Sequence, residues 1–526
     1  MRRLLAFLTE VRQTRKNKVL NEELLNFMMG VIDLVDEFHD SFMMIFIILA
    51  VAAFFCWLFV RPFLTFKKYG IPHPNFSYFT GNLFDVEREG SNMEFAMTNM
   101  KKLGNIFGLY WGRLPVVIVA DPKVLEVVFV KEFANFHDRD YSHGNHKWPM
   151  HLNLLTGKYK HWKRIRPTIS PTFSASKIKQ TIPLVMQSVK TMAEVLKKQA
   201  KTEDIIDINK IFERMAMEVI LSVAFGLKTE FQLKGDKKIS KAADKFFQRG
   251  LGGIFIDMLP MPICIKDFFK KCFTAPDPSY LIRLIKPVIE ERKMSPSTRK
   301  DFLQLLLTES KVDGQLKLSD ADIYASAISF LLAGYETTSN ALAYTTYLLA
   351  LHPEIQERLY NEVKECDMNS EDADIYNEIQ RFSYLDCVFN ESLRLYPPGW
   401  ETLRKTGKDC VFGGITIPAG TMLIIPILAI HRSEQFWKDP YAFDPERFSQ
   451  ERKGDIIPYT FMPFGHGPRN CVGMRFALTE AKLTLITLLK KFRFVKTKET
   501  EPHPLKLNFG VTISPANGIK VGVVER

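Results

Sequence analysis

Cysteine is scarce in this chain: seven in 526 residues, at 56, 264, 272, 366, 387, 410 and 471, an odd number with no C-x-x-C pair. That pattern excludes a disulfide framework and leaves each thiol to be judged singly. No stretch rich in proline, glycine and serine divides the chain beyond residue 60, and no internal repeat of about 20 to 50 residues recurs, which excludes solenoids and propellers. The length would allow three or four domains, but without linkers one large domain is the economical reading. A composition of 46% hydrophobic and 25% charged residues excludes collagen-like and wholly disordered chains. Neither sign of charge is missing, yet 71 Lys and Arg stand against 59 Asp and Glu, and the net +12 permits an anionic partner. No clustered basic and aromatic tract is present, so nucleic acid is not an expected partner.

What is present begins with a long apolar run. Phe42 to Val60 are nineteen residues without a charge, and at about 1.5 Å each they span the roughly 30 Å hydrocarbon core of a bilayer. A signal peptide would lie nearer the start with a shorter apolar stretch. Residues 42–60 are therefore expected to form one transmembrane anchor. No Lys or Arg lies between Asn21 and Asp40, whereas Arg61, Lys67 and Lys68 follow the run, so the C-terminal side is expected to be cytosolic and residues 1–41 to form a lumenal extension. Within that extension Leu24, Leu25, Met28, Ile32, Val35 and Phe38 are spaced like one face of an amphipathic helix. Residues 61–526 are left as one catalytic domain, with polar stretches near 232–245, 291–301 and 364–376 short enough to be loops.

Helical periodicity dominates the middle of that domain. Short β-branched runs appear at 116–119, 413–430 and 511–524, so the class is mainly α with a smaller β part. The most informative helix opens at Ser319, where Ser-Asp-Ala-Asp offers a cap with an acid three residues on, and runs to Leu351 before His352-Pro353. From Ile323 to Leu351 it carries a single charge, Glu336. The polar centre Gly334-Tyr335-Glu336-Thr337-Thr338 argues against a second membrane span, because an acid at mid-bilayer is costly. A central core helix with a functional break is expected.

The chemistry concentrates near the C-terminus, in Phe464-Gly465-His466-Gly467-Pro468-Arg469-Asn470-Cys471-Val472-Gly473 ahead of the helical pattern 474–492. A cysteine at a helix N-terminus meets amide donors and the positive end of the dipole, which stabilise a thiolate able to bind iron. Glycines let backbone approach a flat ligand, Arg469 suits a carboxylate, and Phe464 suits an aromatic face.

This F-x-x-G-x-R-x-C-x-G spacing resembles the cytochrome P-450 family of haem-thiolate monooxygenases, and the resemblance runs from about Lys67 to the C-terminus. It implies the P-450 fold, haem b with Cys471 as axial ligand, and dioxygen as co-substrate. Trp162-Lys163-Arg164-Ile165-Arg166 is similar to the family's W-x-x-x-R helix, so Trp162 and Arg166 are implied to bind a haem propionate, with Arg139 and Arg404 aligning as further propionate partners. Ala333 to Thr338 resembles the central-helix motif that crosses the distal haem face. There Glu336 and Thr337 form the acid–alcohol pair, and oxygen cleavage needs two protons delivered in a site closed to bulk water. Glu391-Ser392-Leu393-Arg394 and Pro445-Glu446-Arg447-Phe448 resemble the family's structural Glu-Arg-Arg network, implying that Glu391, Arg394 and Arg447 hold the cysteine segment in place.

FLLAGYETTSN, PFGHGPRNCVGMRFAL and KETEPHPLKL resemble the microsomal group of drug- and steroid-oxidising enzymes, to which thromboxane synthase is also similar. That synthase is an isomerase that departs from the acid-Thr-Thr pattern kept here, which favours oxygen activation. The resemblance implies an enzyme of the endoplasmic reticulum membrane fed with NADPH electrons by the cytochrome reductase, sometimes with cytochrome b5. Lys160, Lys163 and Arg164 are candidates for the docking face. The substrate is expected to be lipophilic, a steroid, fatty acid or xenobiotic, entering past Phe246, Phe247 and Phe255, with Trp400 and Glu401 narrowing the pocket. The rival readings are a haem-thiolate isomerase or dehydratase acting on a lipid peroxide and a non-catalytic haem-binding membrane protein.

Overall fold

The protein is described by a computed structural model. It covers residues 20–526 apart from 140–146, 248–255, 257–258, 260, 262, 274–275, 295–300, 310, 313–314, 317 and 369–371. Chain contacts separate a unit ending at Leu64 from a unit running from Thr65 to Arg526.

The first unit is dominated by α1 (Leu20–Val60), so the apolar run and the amphipathic segment before it form one continuous helix. Phe42, Phe46, Phe54 and Trp57 are all exposed along it. Among the described residues no helix is long and apolar enough to cross a membrane. The run 42–60 falls partly outside them, since the side chains at 55, 58 and 59 are not described.

The second unit opens with helices Thr65–Tyr69, Leu83–Arg88 and Asn92–Leu103, then the antiparallel strands β1 (Ile106–Trp111) and β2 (Leu114–Val119), and later the helices α2 (Tyr159–Ile169) and α3 (Ile182–Ala200). Next come β3 (Ile206–Asp207), α4 (Ile208–Phe225), α5 (Lys237–Phe247), the central helix α6 (Asp320–Leu351) and α7 (Ser383–Leu395). β4 (Thr402–Lys405), β5 (Met422–Ile425), α8 (Met474–Lys491), β6 (Phe492–Val495), β7 (Leu507–Phe509), β8 (Ile513–Pro515) and β9 (Lys520–Glu525) complete the framework. The larger sheet has the order β1-β2-β5-β4; β2 and β5 run parallel with Val116 opposite Met422, and β4 returns antiparallel with Thr402 opposite Ile425. A smaller sheet, β6-β9-β3, brings the C-terminus back to the start of α4.

The core is organised around α6, which is buried almost all round its circumference, as its near-absence of charge requires. Its N-terminus is closed by a capping box in which Ser319 and Asp322 satisfy one another's backbone donors. Gly334 lets α4 approach, because a Cβ there would stand 2.8 Å from Ile220 Cδ1. Contrary to expectation, α6 has no break at its polar centre. The Thr337 hydroxyl donates to the Ala333 carbonyl one turn back, at 2.5 Å, so the polar residues are absorbed without interrupting the backbone ladder.

The stretch 232–245 is not a loop but largely α5, where Ile239, Ala242, Ala243, Phe246 and Phe247 recur at helical spacing and Ile239 and Ala243 are buried. That spacing marks an amphipathic helix in the sequence itself, so the loop expectation fails on local pattern and not on tertiary context. Similarly, helix Ser279–Met294 reaches into the second expected loop and helix Asp372–Glu378 into the third.

One buried acid stands apart from any site. Glu480 on α8 is 1% exposed, its Oε1 has no partner among the described residues, and burial pushes its carboxyl up to about 8. Between the ordinary value of 4.5 and that raised one, the folded chain keeps a proton that the unfolded chain has released, so stability falls as pH rises through this interval. Replacing Glu480 with Gln is expected to flatten that slope. Urea denaturation should find the variant roughly 2–4 kcal/mol more stable than the parent at pH 8, with little difference near pH 4.

Candidate functional site

The segment bearing Cys471 is held from α7. Arg394 and Glu391 sit three residues apart on one helix face, both fully buried. Arg394 Nε and Nη2 donate to the two carboxylate oxygens of Glu391 at 2.7 and 2.8 Å. Arg447 Nε reaches Glu391 Oε1 at 3.3 Å, and the Asp444 amide donates to that oxygen at 3.0 Å. Arg394 also donates to the carbonyls of His431, Pro440 and Ala442, so one guanidinium organises the chain between 431 and 442. Burial of such a pair is tolerated because its lone pairs and protons are all engaged. The three residues expected to form a structural network are thus brought together.

His431 carries that order onward. Its Nδ1 donates to the Arg394 carbonyl at 3.2 Å and its Nε2 accepts from the Met462 amide at 3.0 Å, which fixes a neutral imidazole. Burial, aided by Arg394, drives its pKa down to about 3. Met462 begins the loop itself: Gly465 N donates to Met462 O at 2.9 Å and Cys471 N to Phe464 O at 2.9 Å. Gly465 and Gly467 adopt left-handed φ of 70° and 71°. A Cβ on Gly467 would lie 2.0 Å from the Phe129 carbonyl, so this glycine is required twice over.

Cys471 lies two residues before the cap of α8 rather than at its first turn. Its side chain is exposed, yet the protein around it is dense enough to desolvate a thiolate, and burial is the largest influence on it. Burial raises the thiol, opposite to the lowering expected from the helix terminus; the Gly473 amide, Arg166 and Arg139 act in the lowering direction and are outweighed.

Basic residues collect around this loop. Arg166 on α2 donates to Asn470 O at 2.9 Å and Asn470 Oδ1 at 3.1 Å. Arg139 Nη2 donates to the Arg469 carbonyl. Arg469 donates to the Gly157 carbonyl at 2.8 Å, and its guanidinium carbon lies 4.8 Å from the centre of the buried Trp162 ring. Arg404 on β4 is fully buried, 4.9 Å over the Phe129 ring, and donates to Leu403 O at 2.8 Å.

Asp138 joins these positions: its Oδ1 accepts from the Tyr159 amide at 2.7 Å at the start of α2, and its carbonyl accepts from the Lys405 amide at 2.9 Å on β4. Arg164 donates to buried Asp322 at 2.8 Å, joining α2 to α6, while its own side chain, like those of Lys160 and Lys163, is exposed.

On α6, Ala333 is exposed on a helix otherwise buried nearby, and Glu336 and Thr337 are half-buried. Burial pushes the Glu336 carboxyl up to about 7, against the hydrogen bond from Thr512 and with the repulsion of Asp244. Trp400 is 2% exposed, its ring 5.1 Å from that of Phe509 and its Nε1 donating to Gly510 O at 3.1 Å, so it is packed under the β7–β8 hairpin. Phe255 lies outside the described residues.

Asp138, His431, Phe129 and Thr512 were not legible as site residues. Only His431 and Asp138 had a chemical signal, and an isolated His or Asp in a sequence is ordinarily a solvated or capping group.

Among the described residues no three of His, Cys, Asp or Glu converge as a metal-binding set. A thiol acted on by Arg166 and Arg139, with Arg469 stacked on Trp162 in the same loop region, fits a flat, carboxylate-bearing macrocycle.

Comparison with known proteins gives the same direction. Residues 71–521 match the family model described as Cytochrome P450. The chain is 34% identical to lithocholate 6-beta-hydroxylase of Mesocricetus auratus, over 88% of this chain and 92% of that protein. It is 35% identical to cytochrome P450 3A6 of Oryctolagus cuniculus, covering 88% and 93%, and 34% identical to cytochrome P450 3A5 of Homo sapiens, covering 91% and 96%.

Replacing Glu391 with Gln leaves Arg394 buried without its counter-charge, and is expected to cost about 3–5 kcal/mol of stability. Thermal unfolding should show it, whereas Glu434→Gln, which removes only an exposed pair with Lys101, should shift the transition by less than about 1 kcal/mol.

Proposed function

The chain belongs to the cytochrome P450 family, and from that premise we propose that it oxidises a lipophilic steroid, fatty acid or xenobiotic with electrons drawn from NADPH through a membrane-bound reductase. Membership makes it a P450 monooxygenase, a haem-thiolate enzyme that uses dioxygen and redox partners on lipophilic substrates. The electron route, the substrate and the residue roles below are our reading. The single observation that supports the residue roles is Cys471 closed in a glycine-shaped loop, its thiol acted on by Arg166 and Arg139.

Bound haem would supply the iron that activates dioxygen, with electron donation from a thiolate. Cys471 would be that ligand. Arg139, Trp162, Arg166, Arg404 and Arg469 would hold the carboxylate arms, and Phe464 would pack against the ring. Glu336 would deliver protons: a carboxyl near pH 7 gives up and recovers a proton at little cost around neutrality. The Thr337 hydroxyl, now donating to Ala333, would turn to pass that proton on. Glu391, Arg394 and Arg447 would act only by holding the loop.

We place residues 42–60 as a single-pass anchor in the endoplasmic reticulum membrane, with the catalytic domain cytosolic and residues 1–41 lumenal. The uncharged run, its exposed Phe and Trp side chains and the Lys and Arg that follow it support this placement. Exposed Lys160 and Lys163 suit an acidic flavoprotein reductase, with cytochrome b5 as a second donor. Because one relative is named a lithocholate 6-beta-hydroxylase, bile acids and sterols are the first substrates to try.

The test is a mass-spectrometric product screen on membranes holding this protein and reductase, offered bile acids, sterols, fatty acids, drugs and lipid peroxides with and without NADPH. Oxygenated products that need NADPH and disappear in Cys471→Ala membranes are expected. Peroxide-derived isomers formed equally without NADPH would replace this reading with an isomerase.

A further inference from the structure

The β7–β8 hairpin does more than cover Trp400. At its tip, Val511 N donates to the Phe247 carbonyl at the C-terminal end of α5 at 2.9 Å. The contact is close enough that a Cβ on Gly510 would stand 2.2 Å from the same oxygen. On its other side the hairpin is fastened to α6, where Asn340 Nδ2 and the Tyr344 hydroxyl both donate to Ile513 O, at 3.0 and 3.2 Å. Ile513 N donates to Pro398 O at 3.0 Å, which fixes the hairpin to the segment after α7. Between these fastenings lies Thr512, 5% exposed, whose hydroxyl donates to Glu336 Oε1 at 2.7 Å.

We propose that Thr512 is a positioning residue for the distal acid: its hydroxyl holds the Glu336 carboxyl and ties it to the hairpin that closes on the end of α5. This deepens the reading of Glu336 as proton donor and rests on it. A buried carboxyl needs a donor to keep one oxygen oriented and to make its ionised form accessible. Here the donor comes from an element that also touches α5, so a displacement of α5 is transmitted to the acid through three residues, 510 to 512.

The groups that face Glu336 set the direction of the effect. From α5, Asp244 repels its negative form, and the Tyr335 hydroxyl lies 3.3 Å from Asp244 Oδ1. From α4, Glu213 feels the same charge and takes a hydrogen bond from Asn209 at 2.7 Å, with Lys210 beside it as an opposing cation. Glu213, Lys210 and Tyr335 line a polar cavity of about 180 Å³. Tyr344, along α6, is likewise under the influence of Glu336. Against this acidic surround Thr512 and Asn340 are the donors that favour ionisation. Removing the Thr512 hydroxyl is therefore predicted to keep Glu336 protonated to higher pH.

The experiment titrates Glu336 by infrared difference spectroscopy of the protonated carboxyl band in the resting full-length holoprotein, with Glu336→Gln identifying the band. Thr512→Val, which preserves shape and removes the hydroxyl, is expected to move the midpoint up by about one pH unit, and Thr512→Ser, which restores the hydroxyl, to leave it at the parental value. An unchanged midpoint in Thr512→Val, or a shift in Thr512→Ser as large as that in Thr512→Val, would overturn the proposal. Coupling of NADPH consumption to product is measured alongside, and its pH profile should move with the midpoint in Thr512→Val. If Glu336→Gln couples like the parent, the proton-delivery reading falls by itself, while the titration still decides whether Thr512 positions the acid.

Discussion

One fully buried guanidinium, that of Arg394, sets the path of the chain on which the site depends. It meets both oxygens of Glu391 and three backbone carbonyls between 431 and 442. Leaving any of these donors or acceptors unpaired in a dry interior would cost more than a typical hydrogen bond contributes, so the arrangement is strongly specified even though the ion pair adds little net stability. His431 then extends this order by one hydrogen bond to Met462, where the cysteine loop begins. Position, rather than chemistry, is what the network supplies.

The loop it positions has two opposing electrostatic influences. Burial works against a Cys471 thiolate, whereas Arg166, Arg139 and the Gly473 amide work in its favour. Those arginines arrive from separate parts of the chain, and Asp138 joins their carriers by accepting from the Tyr159 amide and offering its carbonyl to Lys405. A second acid, Asp322, performs the corresponding task between α2 and α6 while closing the cap of the central helix. Two carboxylates and one guanidinium thus register three helices and a sheet edge around one sulfur.

On the other side, α6 stays regular because Thr337 satisfies its hydroxyl on its own helix. The polarity there is managed from outside the helix, by a hairpin remote in sequence that supplies a donor to Glu336 and an acceptor to Asn340 and Tyr344. The same hairpin packs over Trp400, which makes that indole part of its support rather than a freely projecting wall.

Local pattern by itself determined a good deal: the cap at Ser319, the length of the central helix, the E-x-x-R pair on one face and the glycine-rich cysteine loop. Each is written within one or two helical turns or one loop, where spacing dictates geometry. The anchor-like run at 42–60 is legible for the same reason, as an uninterrupted stretch of apolar residues. The helix over 237–247 is legible in the same way, from Ile239, Ala242, Ala243, Phe246 and Phe247 at helical spacing, and only the tertiary structure decided that Ile239 and Ala243 are the positions it buries. The raised Cys471 thiol, the joining role of Asp138 and the bond from Thr512 to Glu336 were likewise settled by folding. Desolvation depends on everything packed around a group, and partners 176 residues apart leave no periodic trace in the chain that carries them.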